Sequence, residues 1–231
     1  MLKAQKKIKI NSKEIRHDEL LTLFEKVSVW YYDNAQKVNI AAIVLLVAIA
    51  GTIFYIYNVR SNNEIASKEF GKIFSYYDKG DYKIAIDGIK DKKINGLKQI
   101  AEEYDGTDAG EIAEFYLANS YLVDEKYSEA KKHFENCNTS NSLLKSATLS
   151  GIAQCYESEK NYLEAAKNFE QAATYTKENY LNAEYLFHSA MNFANAGEKE
   201  KGIEILKRIR IDFPKSEISR DIDRYIAEIS Y

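Results

Sequence analysis

An aromatic, a turn and a small residue recur together four times along this chain, and their spacing restricts the fold more than any other feature. The phrase reads Tyr76, Gly80-Asp81-Tyr82 and Ala85, then Tyr121, Lys126-Tyr127 and Ala130. It returns as Tyr156, Asn161-Tyr162 and Ala165, and last as Phe193, Glu198-Lys199 and Gly202. The closing small residues stand 45, 35 and 37 positions apart. Periods in that range mark stacked supersecondary units, none able to bury its apolar face alone. One proline and ten glycines in 231 residues leave few breaks, so the units are expected to be helical hairpins rather than turn-dense β structure.

A second feature lies upstream. Val38–Tyr57 reads VNIAAIVLLVAIAGTIFYIY, and no charge occurs between Lys37 and Arg60. Twenty residues at about 1.5 Å rise cover about 30 Å, the hydrocarbon thickness of a bilayer. Eleven of the twenty are Val, Ile, Leu or Phe, which together favour insertion by about 3 to 7 kcal/mol. Trp30, Tyr31 and Tyr32 precede the run and Phe54, Tyr55 and Tyr57 close it, as suits the two headgroup boundaries. Ala48-Ile49-Ala50 imitates a signal-peptidase site, but the leader is 37 residues long, contains acids, and the run stays apolar past Ala50. An uncleaved single-pass anchor is the expectation.

Charge is divided unevenly. Residues 1–37 carry 8 Lys/Arg against 5 Asp/Glu, whereas residues 58–231 carry 24 against 30. The leader holds Lys3, Lys6, Lys7, Lys9, Lys13, Arg16, Lys26 and Lys37, while the first twenty residues after the span hold only Arg60, Lys68 and Lys72. That bias expects the leader in the cytoplasm and the repeats outside, in the periplasm of a bacterial inner membrane. A mildly acidic repeat segment lacks the clustered basic surface of a nucleic-acid binder. Within the leader, Leu20, Leu21, Leu23, Phe24, Val27, Trp30 and Tyr31 form one stripe. They predict a separate amphipathic helix that lies on the interface, docks on a membrane partner, or packs on itself. Residues 1–12 read as disordered.

Helices are expected over 111–124 and 127–138, 143–158 and 161–175, and 180–196 and 199–212. In each first helix a small residue precedes an aromatic by three positions: Ala118 and Tyr121, Ala153 and Tyr156, Ala190 and Phe193. Each second helix pairs Ala130 with Phe134, Ala165 with Phe169, and Gly202 with Leu206, and Pro214 follows the last. This pattern resembles the tetratricopeptide repeat. Residues 58–110 would hold a degenerate first repeat and an extra helix, Asn95–Tyr104. Asp108 with Glu111, and Ser61 with Glu64, resemble capping boxes. Ser216 is placed to cap a terminal helix, Glu217–Ser230, closing the stack over residues 217–231. The fold class is therefore all-α: a transmembrane helix over residues 38–57, then an α-solenoid with three good repeats over 111–216.

The layout of leader, span and exported repeats is similar to that of the membrane-anchored ancillary subunits of the SecYEG translocon. That resemblance implies contact with translocon subunits and transient binding of exported or chaperone-bound client proteins. A structural adaptor for envelope assembly or cell division shares the same layout, as does a stress-response regulator holding a cytoplasmic factor through its leader.

No motif for catalysis, metal or cofactor is present: there is no Gly-rich phosphate loop, no nucleophile elbow and no HExxH, and His17, His133 and His188 are far apart. An enzyme is not expected. His133 is read as facing solvent. Asp105-Gly106-Thr107-Asp108 reads as a capped turn rather than a calcium loop. Cys137 and Cys155 read as small hydrophobes, or as a pair if the domain is exported. The binding surface is expected on the first helices of the hairpins, with Phe115, Asn119, Leu122, Gln154, Glu157, Phe187, His188 and Met191 facing a groove. Asn119 matches a position of the family's carboxylate clamp, but Phe115, Gly151, Glu184 and His188 stand where its basic residues belong. An apolar groove for exposed apolar or helical segments is the expectation, the alternative being that Phe115 and Phe187 belong to the core.

Overall fold

In a computed structural model, the chain is described over residues 12–177 and 179–230, with the backbone alone for residues 12–21. The expected N-terminal disorder falls outside these residues, except that Ser12 begins a helix. Eleven α-helices occur among the described residues. They are α1 (Ser12–Asp78), α2 (Tyr82–Asp87), α3 (Leu97–Glu103), α4 (Asp108–Val123), α5 (Tyr127–Asn136), α6 (Ser142–Ser158), α7 (Tyr162–Tyr175), α8 (Asn182–Asn195), α9 (Lys199–Asp212), α10 (Glu217–Arg220) and α11 (Ile222–Ser230). Two compact units divide the chain, residues 1–57 and 58–231.

In the first unit the described part of the leader, from Ser12, and the apolar run form one uninterrupted helix, not two. The run is long and apolar enough to cross a membrane, and no part of its most apolar stretch is buried. Leu46 is 64% exposed and Phe54 71%. Farther along the same helix, Ala66 and Ile73 are fully buried, so the uncovered part is the apolar run and its approaches. Ser61 lies inside α1, so it caps nothing.

In the second unit each helix packs on the next from α3 to α9, and α11 closes on α9. The recurring phrase is the instruction for the bend inside each hairpin. The backbone N–H groups of Asp81, Lys126, Asn161 and Glu198 donate to the carbonyls of Tyr76, Tyr121, Tyr156 and Phe193 at 2.8 to 2.9 Å. One residue earlier in each turn, Gly80, Glu125, Lys160 and Gly197 adopt positive φ, at 82°, 58°, 61° and 89°. This is the left-handed closure that satisfies the last carbonyls of a helix. Two of the four sites carry a side chain where glycine is favoured. Glu125→Gly and Lys160→Gly are therefore each expected to raise stability by about 1 kcal/mol, measured by urea unfolding of the full chain.

Small residues set the helix separations. Ala118, Ala130, Ala153, Ala165 and Ala190 are fully buried. A Cβ on Gly202 would come within 2.7 Å of the Ala190 carbonyl oxygen, so α9 reaches α8 only because that side chain is missing. Between repeats, a Cβ on Gly151 would sit 2.3 Å from Phe134 Cζ. The ring of α5 thus packs into the space left on α6.

The long first step has a specific cause. α2 stops at Asp87 and the chain leaves through a short antiparallel hairpin, β1 (Gly88–Ile89) with β2 (Ile94–Asn95), before helix resumes at Leu97. The neck is pinched: a Cβ on Gly88 would lie 2.5 Å from the Gly96 nitrogen, and one on Gly96 2.2 Å from the Ile86 carbonyl oxygen. α2 and α3 both pack on α4, so α3 takes the place of a second helix resumed after an excursion. The helix expected over Asn95–Tyr104 is present as α3, beginning two residues later and ending one earlier. Two caps also differ. Thr107, not Asp108, caps α4, its hydroxyl accepting from Gly110 N–H at 3.0 Å. Ser216 does cap α10, accepting from Ser219 N–H at 3.2 Å, but the terminal helix breaks at Asp221 into α10 and α11. Ile222 and Ile229 of α11 are buried in the C-terminal core.

Candidate functional site

Residues four apart on a helix share a face, and three first helices use this to build one cleft. Phe115 and Asn119 of α4, Ser150 and Gln154 of α6, and Glu184 and His188 of α8 line a space of about 520 Å³. Phe169 of α7 reaches in from behind, its ring stacked on His188 with centroids 5.1 Å apart. Tyr185 lies beside it, buried. Burial raises the Tyr185 phenol above its ordinary value, against the opposing hydrogen bonds with Asn179 and Ser150.

Of the eight groove residues expected, Phe115, Asn119, Gln154, Glu157 and His188 share this cleft. The other three lie elsewhere. Leu122 packs on the cluster of Ala118, Ala130, Phe134 and Cys155. Phe187 meets Tyr225 of α11 at 4.6 Å, and Met191 packs on the C-terminal core. Phe169 is outside the expected set because it belongs to the repeat's own packing pair with Ala165, and Tyr185 because it falls at none of the recurring positions. The cleft is also less apolar than expected. Its floor is aromatic, but Asn119, Gln154, Glu157 and Glu184 make its walls polar and acidic.

A ladder of rings adjoins it. Tyr116 of α4 meets Phe70, Phe74 and Tyr77 of α1 at 5.5, 5.2 and 4.8 Å. Phe115 stands edge-on to Tyr116 at 5.5 Å and so belongs to both ladder and cleft. These rings are half-buried. Burial, then the neighbouring Tyr82 and Tyr116, push the Tyr77 phenol up to about 12, so it stays neutral.

A second cavity of about 480 Å³ lies among α3, α4 and α5, lined by Glu102, Asp105, Glu111, Glu114 and His133 among others. His133, expected to face solvent, is only partly exposed, its side chain at 21%. Its Nδ1 is 2.9 Å from Glu114 Oε1 and its ring stacks on Tyr121 at 5.2 Å. Among the described residues no cluster of His, Cys, Asp and Glu is gathered to hold a metal ion. Glu111 is buried and its Oε2 finds no donor. Burial raises its carboxyl above the ordinary 4.5, opposed by the Asn138 N–H and Cys137 and assisted by the charges of Asp105 and Glu114. The native state therefore holds this proton more tightly than the unfolded chain. Its contribution to stability is complete below pH 4.5 and is lost as pH rises through the raised value. Glu111→Gln, neutral throughout, is expected to flatten the pH dependence of unfolding above pH 4.5, leaving the variant relatively more stable toward neutrality. Urea titrations of both proteins across that range measure it.

The cysteines are free and buried apart from each other's surroundings. Cys137 touches the Glu111 carbonyl and Thr148, while Cys155 sits with Ala118, Ala130 and Phe134. Burial pushes the two thiols up to about 11 and about 12, so they pack as neutral side chains. The structure does not pair them.

A model of the tetratricopeptide repeat-like domain matches residues 28–183, and one of the tetratricopeptide repeat matches residues 184–216. No curated protein matches the chain. Two crystal structures of nearly identical TPR-like repeats from a Podosopora anserina kinesin light chain are similar in fold, one of them a substituted form. Each is 16% identical with a TM-score of 0.53, covering 74% of this chain and 84% or 85% of its own. At that identity the likeness concerns the fold alone. A repeat scaffold of this kind binds proteins, and no catalytic family is indicated.

Proposed function

Because the chain belongs to the tetratricopeptide repeat-like family, we propose that it is a membrane-anchored scaffold whose repeats hold protein segments at the bacterial envelope, accessory to protein translocation or to periplasmic chaperones. The observation that carries this reading is the uncharged, exposed stretch of α1 ahead of a cleft lined by the first helices of three successive repeats. In this reading residues 38–57 span the inner membrane, residues 1–37 remain cytoplasmic and residues 58–231 are exported. The Lys/Arg bias of the leader supports that orientation. The cleft between α4, α6 and α8 takes the client, and the leader with the span contacts translocon subunits.

Affinity isolation in mild detergent, with a form lacking residues 1–37 as control, tests the assignment. Translocon subunits are expected with the full chain and depleted with the truncated one. Recovery of cell-division or envelope-assembly proteins instead, with no channel subunit, would transfer the function to a structural adaptor.

A further inference from the structure

We infer that the cleft selects cationic partner segments: peptides whose apolar side chains enter over the part-exposed rings of Phe115 and His188 while Lys or Arg side chains meet Glu157 and Glu184. This rests on the cleft being the client site, as proposed above, and adds the charge it reads. No Lys or Arg lines the cleft, although Glu157 and Glu184 face it from neighbouring repeats. Neither carboxylate is in a salt bridge among the described residues, and Glu157 accepts only a neutral donor, Asn192 Nδ2 at 2.9 Å. A neutral segment seated here would strip water from two carboxylates and return hydrogen bonds but no opposite charge. An acidic segment would add repulsion. A cationic one replaces the lost hydration with hydrogen bonds in which both donor and acceptor are charged, and with ion pairing besides. The ladder ending at Phe115 extends the same preference, since half-buried ring faces attract guanidinium and ammonium groups. Residues 58–231 carry 24 Lys/Arg against 30 Asp/Glu, a field that steers cations toward the repeats.

The test uses the full chain in nanodiscs of phosphatidylcholine, whose neutral surface does not itself attract cationic peptides. Three fluorescent peptides share one pattern of leucines and differ only in carrying arginine, glutamine or glutamate at the polar positions. Fluorescence anisotropy gives each Kd at low and high salt. The arginine peptide is expected to bind about tenfold tighter than the glutamine peptide at low salt, with the advantage shrinking as salt rises. E157Q/E184Q, which keeps an acceptor for Asn192, should remove that advantage while its thermal melt confirms folding. Equal binding of the arginine and glutamine peptides overturns the charge selection and leaves the cleft reading intact. A preference for glutamate, or an arginine preference that survives E157Q/E184Q, also overturns it. If no peptide binds, both readings fall.

Discussion

Phe134→Ala is expected to lower the unfolding free energy by about 3 to 5 kcal/mol. The ring is wholly buried among Ala118, Ala130 and Cys155, and it rests against Gly151 of the next hairpin. It therefore supplies both the core of its own repeat and the contact to its neighbour. Stability of a stacked array is a sum of unit terms and nearest-neighbour terms, so this loss should also broaden the melt as the two flanking parts unfold less together. Gly151→Ala provides the matching half. In the wild-type background its Cβ would meet Phe134 Cζ at 2.3 Å, a clash expected to cost about 1 to 3 kcal/mol. In the Phe134→Ala background the obstacle is gone, and the better helix propensity of alanine should make the same change neutral or stabilising by up to about 1 kcal/mol. The double-mutant cycle, read by chemical unfolding, should show a coupling of more than about 1 kcal/mol. Additive losses would mean that the ring does not pack where the structure places it.

Leu46→Lys together with Val44→Asp is expected to release the protein from membranes. Both side chains are exposed on α1, at 64% and 62%, so the substitutions disturb no packed core. A charge near the centre of a span opposes insertion by about 2.5 to 3.5 kcal/mol. Two charges together match or exceed the roughly 3 to 7 kcal/mol that the eleven Val, Ile, Leu and Phe residues supply. Carbonate extraction followed by flotation measures the shift. The wild type should float with the membranes and the double variant should appear in the soluble fraction. A wild type that is soluble without detergent would remove the anchor from the account.

The hairpins were legible in the sequence because two physical needs coincide at fixed positions. A buried alanine such as Ala118 admits the neighbouring helix, and the aromatic three residues later offers its carbonyl to the turn. The pattern thus reports both packing and helix termination. The hairpin of β1 and β2 left no comparable trace. Its paired strands are two residues each, and its neck depends on the backbone approach of Gly88 to Gly96, which periodicity does not register. The cleft was partly legible. Four-residue steps on α4, α6 and α8 put Asn119, Gln154 and His188 on facing surfaces, but the same periodicity placed Phe187 beside them. The partner that draws Phe187 away is Tyr225 of α11, a contact set by how the stack is closed rather than by the repeat. Glu157 was expected in the groove and Glu184 at a clamp position, but their meeting in one acidic wall with no Lys or Arg beside it is visible only in the folded repeats.

A photocrosslinking side chain placed at Gln154, within the cleft, and separately at Glu204, exposed on α9 outside it, addresses the account most directly. In intact membranes the Gln154 position is expected to trap a protein client, and E157Q/E184Q in the same chain is expected to weaken that adduct. The Glu204 position should trap little. Adducts of equal strength from both positions, or adducts from Glu204 alone, would contradict a client site between α4, α6 and α8.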